Sequence, residues 1–558
     1  MVMGLNPETL ASLLQLFVAV PLLSAGLLIM LRKVQWLQDL VLALVLLAAF
    51  AASVSLIFAT ENGEVFAHGT GGWKPGVAIP FAVDMFSALM LTITSLLALV
   101  CVWFAAASGY NKEPLFAPLI LVLMTGVYGT LLTADIFNFF VFIEVMLLPS
   151  YALYALTIRK QGGSLRVAGL RLYIAANLFA STLLLVSAGL IYATAGAVNL
   201  GQLAGAAKED PAVAIAGGLA LLSMMIKASV VPAHSWLSRS YPYTSPAITT
   251  LFSGLHTKVA IYAIYRWYAV IFDGDQRWLW IGVVLFSLTM LIGVLGAVGE
   301  NTTREILTFH MVSHIGYILL GVAMFTELGM TAGIFYLIHH MVVKTSLFMS
   351  TGAIEVKYGT GQLGKVTNMV KREPVLAVAF FAAALSLVGI PPFSGFVAKF
   401  GLMLGAWEAH EYFAMIMMVV VSLLTLIAML KIWSGVFWGD SSQPAPDPAA
   451  GQDPDGPGGT LGGGVAIYPD TTADVSADAS QEAAQEQSSV AVASRRVTDD
   501  VEYKDSHRVG GWLTAPAVLL ALLSLAIGVG AEVLMQWSEV AANGLLDTTN
   551  YLEAVNNH

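Results

Sequence analysis

The chain has 558 residues, of which 57% are hydrophobic and only 11% charged, and its mean hydropathy is +0.77. Those values exclude a soluble protein with a water-facing surface, and the net charge of −10 excludes a role on nucleic acid. The expectation is an all-α polytopic membrane protein, because apolar windows of about 20 residues recur almost end to end.

In chain order these windows predict helices at 9–31, 35–60, 82–107, 115–134, 136–157, 168–195, 211–240, 247–271, 277–297, 304–325, 329–356, 374–404, 412–438 and 513–536, about fourteen in all. The runs are continuous and lack the period-two alternation of a lipid-facing strand, so helices are expected and not a barrel. The first window lacks a basic leader and reads as a membrane helix, not a secretion signal. Cys101, the single cysteine, falls in the third predicted helix and excludes an intramolecular disulfide or a Cys-based metal or cluster site.

Basic residues gather in alternate connections: Arg32 and Lys33, Lys112, then Arg159, Lys160 and Arg166, then Arg239, Arg304, and finally Lys357, Lys365, Lys371 and Arg372. These connections are expected to face the cytoplasm, and 61–80 and 196–210, poorer in Lys and Arg, the outside. An even number of helices then places both termini outside a bacterial cell membrane. Residues 440–510, rich in Pro, Gly, Asp, Ser, Ala and Glu, cannot bury enough surface to offset their ordering entropy. They read as a disordered cytoplasmic loop dispensable for transport, with a docking segment for a partner as the alternative.

Two predicted helices are interrupted. In the seventh, Pro232 removes a backbone hydrogen bond five residues after Lys227; in the twelfth, Gly389, Pro391, Pro392 and Gly395 surround a break just before Lys399. The two breaks stand five helices apart, which suggests two five-helix units, helices 4–8 (111–272) and helices 9–13 (273–439), each with a broken fourth helix. Five is odd, so the units would be inverted relative to one another, a recurring build of ion-coupled transporters. Residues 1–110 supply three helices before them, and 511–558 a last helix and a tail.

Glu144, Lys227, Lys258 and Lys399 lie near the middle of apolar segments, where a charge costs about 2.5–3.5 kcal/mol on insertion scales. Glu144 is surrounded by apolar residues around its whole helix, and Lys227 is the expected counter-charge. A lysine whose carboxylate partner moves can load and release a proton near neutral pH. Lys258 is placed to receive that proton, with His256 and Ser253 on adjacent turns. In the eleventh helix His339, His340 and Lys344 stand within one and a half turns. Two adjacent histidines point in different directions, so one of them is expected to line a polar path. No carboxylate or cysteine stands at helical spacing to complete a metal site there, and none is expected. Lys399, beside a break whose freed backbone groups can hold water, ends the series. His234, His310 and His314 are side branches toward either surface.

The segments FIEVMLLPSYAL, MMIKASVVPAHSWLSRSYPYTSPAITTLFSGLHTKVAIYAIYR and LVGIPPFSGFVAKF resemble the proton-translocating, antiporter-like subunits shared by respiratory complex I, membrane hydrogenases and Mrp-type cation/proton antiporters. The resemblance covers the third to the thirteenth predicted helix. It implies that Glu144 is the essential glutamate of helix 5, Lys227 and Lys258 the lysines of helices 7 and 8, and Lys399 the charged residue of helix 12. The Mrp-type branch is the closer fit. The complex I subunit NuoM is expected to carry glutamate where Lys399 stands, and MrpA carries a long helical C-terminal extension absent here; NuoN, which also has a lysine there, is the nearest competitor. The resemblance implies a hetero-oligomeric membrane complex with MrpA, MrpB, MrpC, MrpE, MrpF and MrpG, exchanging H⁺ for Na⁺ within lipid. No cofactor is expected. Two rivals remain: a proton-pumping subunit of an NADH dehydrogenase or hydrogenase, and an inert scaffold whose Glu and Lys are static ion pairs.

Overall fold

The protein is described by a computed structural model covering residues 7–73, 78–161, 163–438 and 508–557. The expectations for 440–510 therefore lie, apart from its last three residues, outside the described residues.

Two helices, α1 (Pro7–Met30) and α2 (Gln35–Thr60), lead to a small antiparallel hairpin of β1 (Phe66–Gly69) and β2 (Pro80–Val83), registered Phe66 to Val83. This hairpin is a local addition to an otherwise helical chain; four-residue strands are too short to register in windows of membrane length. Asp84 then starts α3 (Met85–Ala107) by accepting the Ser87 amide at 2.9 Å. Five elements follow: α4 (Phe116–Leu132), α5 (Ile136–Gln161), α6 (Ser164–Ala195), α7 (Pro211–Lys227) and α8 (Pro246–Ile271). The next stretch is α9 (Leu279–Gly299), α10 (Thr303–Met324), α11 (Glu327–Tyr358), α12 (Pro374–Val388), α13 (Ser394–Glu408) and α14 (Tyr412–Ile432). The chain ends in α15 (Gly511–Val529), α16 (Ala531–Leu546) and α17 (Thr549–Asn557). Among the described residues eleven helices are long and apolar enough to cross a membrane, and α4, α7 and α12 are shorter apolar helices.

The predicted seventh helix is shortened. It stops at Lys227, and two short turns, Ser235–Ser238 and the 3₁₀ turn Tyr241–Tyr243, follow before α8. The predicted twelfth becomes α12 and α13, separated at 389–393. Proline accounts for both stops, since its missing N–H and ring cannot continue the ladder. The Val231–Pro232 and Pro391–Pro392 peptide bonds are both cis.

Polar caps set where the innermost helices start. Ser245, Thr302 and Thr326 each accept an amide of the first turn of α8, α10 and α11. α8 and α11 are buried on every side across their apolar windows, so any polar group they carry faces protein and not lipid. At one end of the bundle the basic connections meet. Arg159 pairs with Glu113 at 2.5 Å, Arg304 pairs with Glu355 at 2.5 Å and hydrogen-bonds the Thr244 carbonyl, and Lys431 donates to the carbonyls of Val298 and Glu300. The opposite end carries Asp84, Lys208 bound to Asp273 at 2.8 Å, and the hairpin.

Candidate functional site

Lys227, Lys258, Lys344 and Lys399 are each 5% exposed or less, and so are His310, His314, His339 and His340; His256 is 6% exposed. Helix spacing explains why they converge. Lys258 and the four-residue repeat of α11 at His340 and Lys344 fall on the facing sides of the two innermost helices.

The first limb joins α5, α6, α7 and α8. Lys227, the last residue of α7, donates to Ser181 Oγ at 2.8 Å and to the Asn177 carbonyl at 3.3 Å, both on α6. Glu144, the expected counter-charge, makes no ion pair with Lys227 among the described residues. Glu144 is half-buried on α5, its Oε1 has no partner among the described residues, and its charge acts on Lys227 from a distance. α6 presents Asn177 and Ser181 one turn apart directly against the end of α7, so a hydroxyl takes the place meant for the carboxylate.

From there the polar groups continue through Tyr173. Its hydroxyl lies 2.8 Å from Ser150 Oγ and 3.0 Å from His256 Nδ1, while His256 Nε2 has no partner among the described residues. His256 sits within electrostatic reach of both Lys227 and Lys258. Lys258 Nζ donates to the Ser253 carbonyl at 2.5 Å and to Thr257 Oγ1 at 3.0 Å.

The second limb lies on α10 and α11. Lys344 Nζ has no hydrogen-bond partner among the described residues; it lies 5.9 Å from the Phe348 ring centroid and within reach of the Lys258 charge. His340 stacks on His314 with centroids 5.4 Å apart, and His314 is 5.9 Å from His310. The Tyr336 hydroxyl hydrogen-bonds His314 Nδ1. Both ring nitrogens of His310 and of His340 lack partners among the described residues. Buried polar atoms left bare cost about 1–3 kcal/mol each, so stability alone does not explain this cluster.

The third limb reaches the break between α12 and α13. His339 Nδ1 lies 2.8 Å from Ser394 Oγ, which meets Ser386 and Ser524 at 3.2 Å each. The two adjacent histidines face different neighbours, His340 the His314 ring on α10 and His339 the Ser394 hydroxyl at the break. Lys399 Nζ donates to the Val388 carbonyl at 2.9 Å and to Ser422 Oγ at 3.1 Å, and lies 5.0 Å over the Tyr317 ring. Val388 is the last residue of α12, so the lysine satisfies a carbonyl that the break sets free.

His234 stays apart from these limbs. It is half-buried beside Pro232 in the connection after α7. Pro232, Pro391 and Pro392 are exposed. Sequence reasoning missed the hydroxyl relays, Ser181, Tyr173, Ser394, Tyr317 and Ser422. Ser181 and Tyr173 could have been found by their eight-residue spacing on one face of α6.

The family described as NADH:quinone oxidoreductase/Mrp antiporter matches residues 133–425. The D-type Na⁺/H⁺ antiporter subunit of Alkalihalophilus pseudofirmus is 31% identical over 544 residues, covering 96% of this chain and 98% of its own. A chain of the Mrp complex from Dietzia sp. DQ12-45-1b superposes with a TM-score of 0.87 at 51% identity, covering 98% of this chain and 100% of that one. A chain of respiratory complex I from Thermus thermophilus shares the fold, with a TM-score of 0.72 at 21% identity over 96% of this chain and 100% of its own.

Proposed function

The chain belongs to the NADH:quinone oxidoreductase/Mrp antiporter family, and from that premise we propose that it is the D-type, proton-translocating subunit of a multisubunit Na⁺/H⁺ antiporter. It works in a bacterial cell membrane with the other Mrp subunits and is a secondary transporter subunit, not an enzyme. Both termini face outward, and the end carrying Arg159, Arg304 and Lys431 faces the cytoplasm. The stretches α4–α8 and α9–α14 are two inverted repeats, each interrupted in its fourth helix.

The observation that carries this reading is the set of buried ionisable groups Lys227, His256, Lys258, Lys344, His339, His340 and Lys399, several of them hydrogen-bonded to hydroxyls, with half-buried Glu144 within electrostatic reach of Lys227. An ammonium hydrogen-bonded to a hydroxyl can hand a proton along that bond and take one back. When Glu144 moves closer to Lys227 the proton is held there. When it moves away, the proton passes through the Tyr173 hydroxyl and His256 toward Lys258, then along Lys344 and His340 toward Lys399. His310 and His314 branch from that line, and His234 stands off it in the connection after α7. Sodium is assigned to the complex and not to a site in this chain. The rival reading, a proton pump of an NADH dehydrogenase or hydrogenase, uses the same residues and is separated from this one by the proteins that co-purify.

Two results check the reading. Lys399→Ala should lower ΔpH-driven Na⁺/H⁺ exchange by the assembled complex at least about 100-fold, the size of a lost proton-transfer group; near-normal exchange would remove the third limb from the path. Tyr173→Phe should slow exchange by about 3- to 10-fold, the effect of one hydrogen bond, in the same vesicle assay.

A further inference from the structure

Trp236, in the short turn after α7, is 3% exposed, although Pro232, Ser235 and Arg239 around it are exposed. A helix end leaves its last carbonyls without intrahelical partners. At the end of α7 the amides of Ala228, Ser229 and Val230 fold back onto the carbonyls of Met224, Ile226 and Met225. The Ile226 carbonyl, one residue before Lys227, takes a second donor, Trp236 Nε1 at 2.8 Å. Thr289 of α9 holds the same connection five residues earlier. Its hydroxyl accepts the Val231 amide at 3.1 Å and donates to the Leu285 carbonyl at 2.7 Å.

Trp236 also touches the next member of the first limb. Its ring lies 5.9 Å from the Tyr173 ring, centroid to centroid, and Tyr173 stacks in turn on Phe252 at 5.7 Å and on His256 at 6.3 Å. A buried indole N–H ordinarily finds an acceptor, and core packing alone would be served by any carbonyl nearby. This one takes the carbonyl beside Lys227, while its ring meets the tyrosine that hydrogen-bonds His256. The second break is satisfied differently. There Lys399 itself donates to the freed carbonyl of Val388. At the first break the indole donates at the helix end, and the Lys227 ammonium turns to Ser181 and Asn177 on α6.

We propose that Trp236 is a positioning residue of the proton path. It fixes the end of α7 relative to Tyr173, so that Lys227 stays against Ser181 and Tyr173 against His256, and Thr289 anchors the connection that carries it. The proposal rests on the reading of the buried axis as a proton path. Without the indole N–H, the end of α7 has one contact fewer to this limb, and the ammonium spends less time on Ser181 and Asn177. Hydrogen bonds to a charged group favour its charged form, so loading Lys227 then takes a higher proton concentration. The titratable groups of this limb, Glu144 on α5, Tyr173 on α6 and His256 and Lys258 on α8, stay in place in every variant below.

The pH profile of ΔpH-driven Na⁺/H⁺ exchange tests this, in inverted vesicles carrying the whole complex with assembly confirmed by blot. Trp236→Phe keeps a ring against Tyr173 and removes the N–H. Thr289→Val removes the hydroxyl at nearly constant shape, and Thr289→Ser keeps it. Trp236→Phe should lower the maximal rate about 3- to 10-fold, the effect of one hydrogen bond. The pH of half-maximal exchange should move down by at least about half a unit, as a less well-held ammonium requires. The Na⁺ concentration at half-maximal rate should not change, because sodium is bound elsewhere in the complex. Thr289→Val should move the profile the same way and Thr289→Ser should restore it, so this pair decides if Trp236→Phe does not assemble. A lowered rate with an unmoved profile, or equal profiles for Thr289→Val and Thr289→Ser, would make these contacts structural only and overturn the proposal. Lys227→Ala separates the two readings. If exchange survives it, the axis reading fails first; if Lys227 is essential and the Trp236→Phe profile is unmoved, the positioning role alone is wrong.

Discussion

Lys258→Ala is expected to abolish Na⁺/H⁺ exchange by the assembled complex, a fall of at least about 100-fold, and Lys258→Arg is expected to do the same. Lys258 stands where the limbs join. His256, itself within reach of Lys227, lies within electrostatic reach of Lys258, and so do Lys344 and His340. Removing the amine therefore interrupts both halves at once. The arginine variant sharpens the test because a guanidinium keeps the positive charge and can still hydrogen-bond, yet does not release its proton in a protein. A scaffold of static ion pairs would tolerate arginine. Vesicle exchange, read beside a blot for the assembled complex, distinguishes the two: retained activity in Lys258→Arg favours the scaffold, and loss in both variants favours proton transfer.

Gly316→Leu is expected to prevent assembly. A Cβ on Gly316 would lie 2.5 Å from the Phe286 carbonyl oxygen and 2.8 Å from the Met290 amide, so α9 and α10 meet backbone to backbone. Gly293 meets Ser313 in the same way one contact along, and Ser313 Oγ donates to the Met290 carbonyl at 2.8 Å. Small residues at such crossings are what bring membrane helices close, since lipid supplies no hydrophobic push between them. Forcing atoms into a packed contact costs about 1–3 kcal/mol or more, and here the obstacle is backbone, which cannot swing away. Gly316→Ala should give an intermediate yield of intact complex by size-exclusion chromatography and Gly316→Leu almost none. Wild-type yield for Gly316→Leu would show that α9 and α10 can separate freely.

Part of this arrangement is legible in the amino-acid sequence for physical reasons that recur. Charge in an apolar run is costly enough to stand out, so Glu144, Lys227, Lys258 and Lys399 are recognisable from the order of residues alone. Proline and glycine mark broken helices with equal clarity, and α7 and α12 end beside Pro232 and Pro391. Pairing is not legible. Which polar group meets Lys227 depends on how α6 lies against α7, and Ser181 is 46 residues away in the chain. Arg266 and Asp84, a buried ion pair at 2.7 Å, do not stand out because each sits near a helix end, where a charge is cheap, and nothing in the 182 residues of chain separating them announces the pair. The additional helices α16 and α17 read as a tail because their apolar faces are interrupted by Glu, Gln, Ser and Asn, which break a window of membrane length but not an amphipathic helix.

The central claim is that protons travel along the buried axis of this subunit. Its most direct test is ΔpH-driven Na⁺/H⁺ exchange in inverted membrane vesicles carrying the whole complex, comparing wild type with Lys227→Ala and confirming assembly by blot. Lost exchange with normal assembly is the predicted result. Exchange at the wild-type rate with Lys227 gone would contradict the account and move the proton path to another subunit.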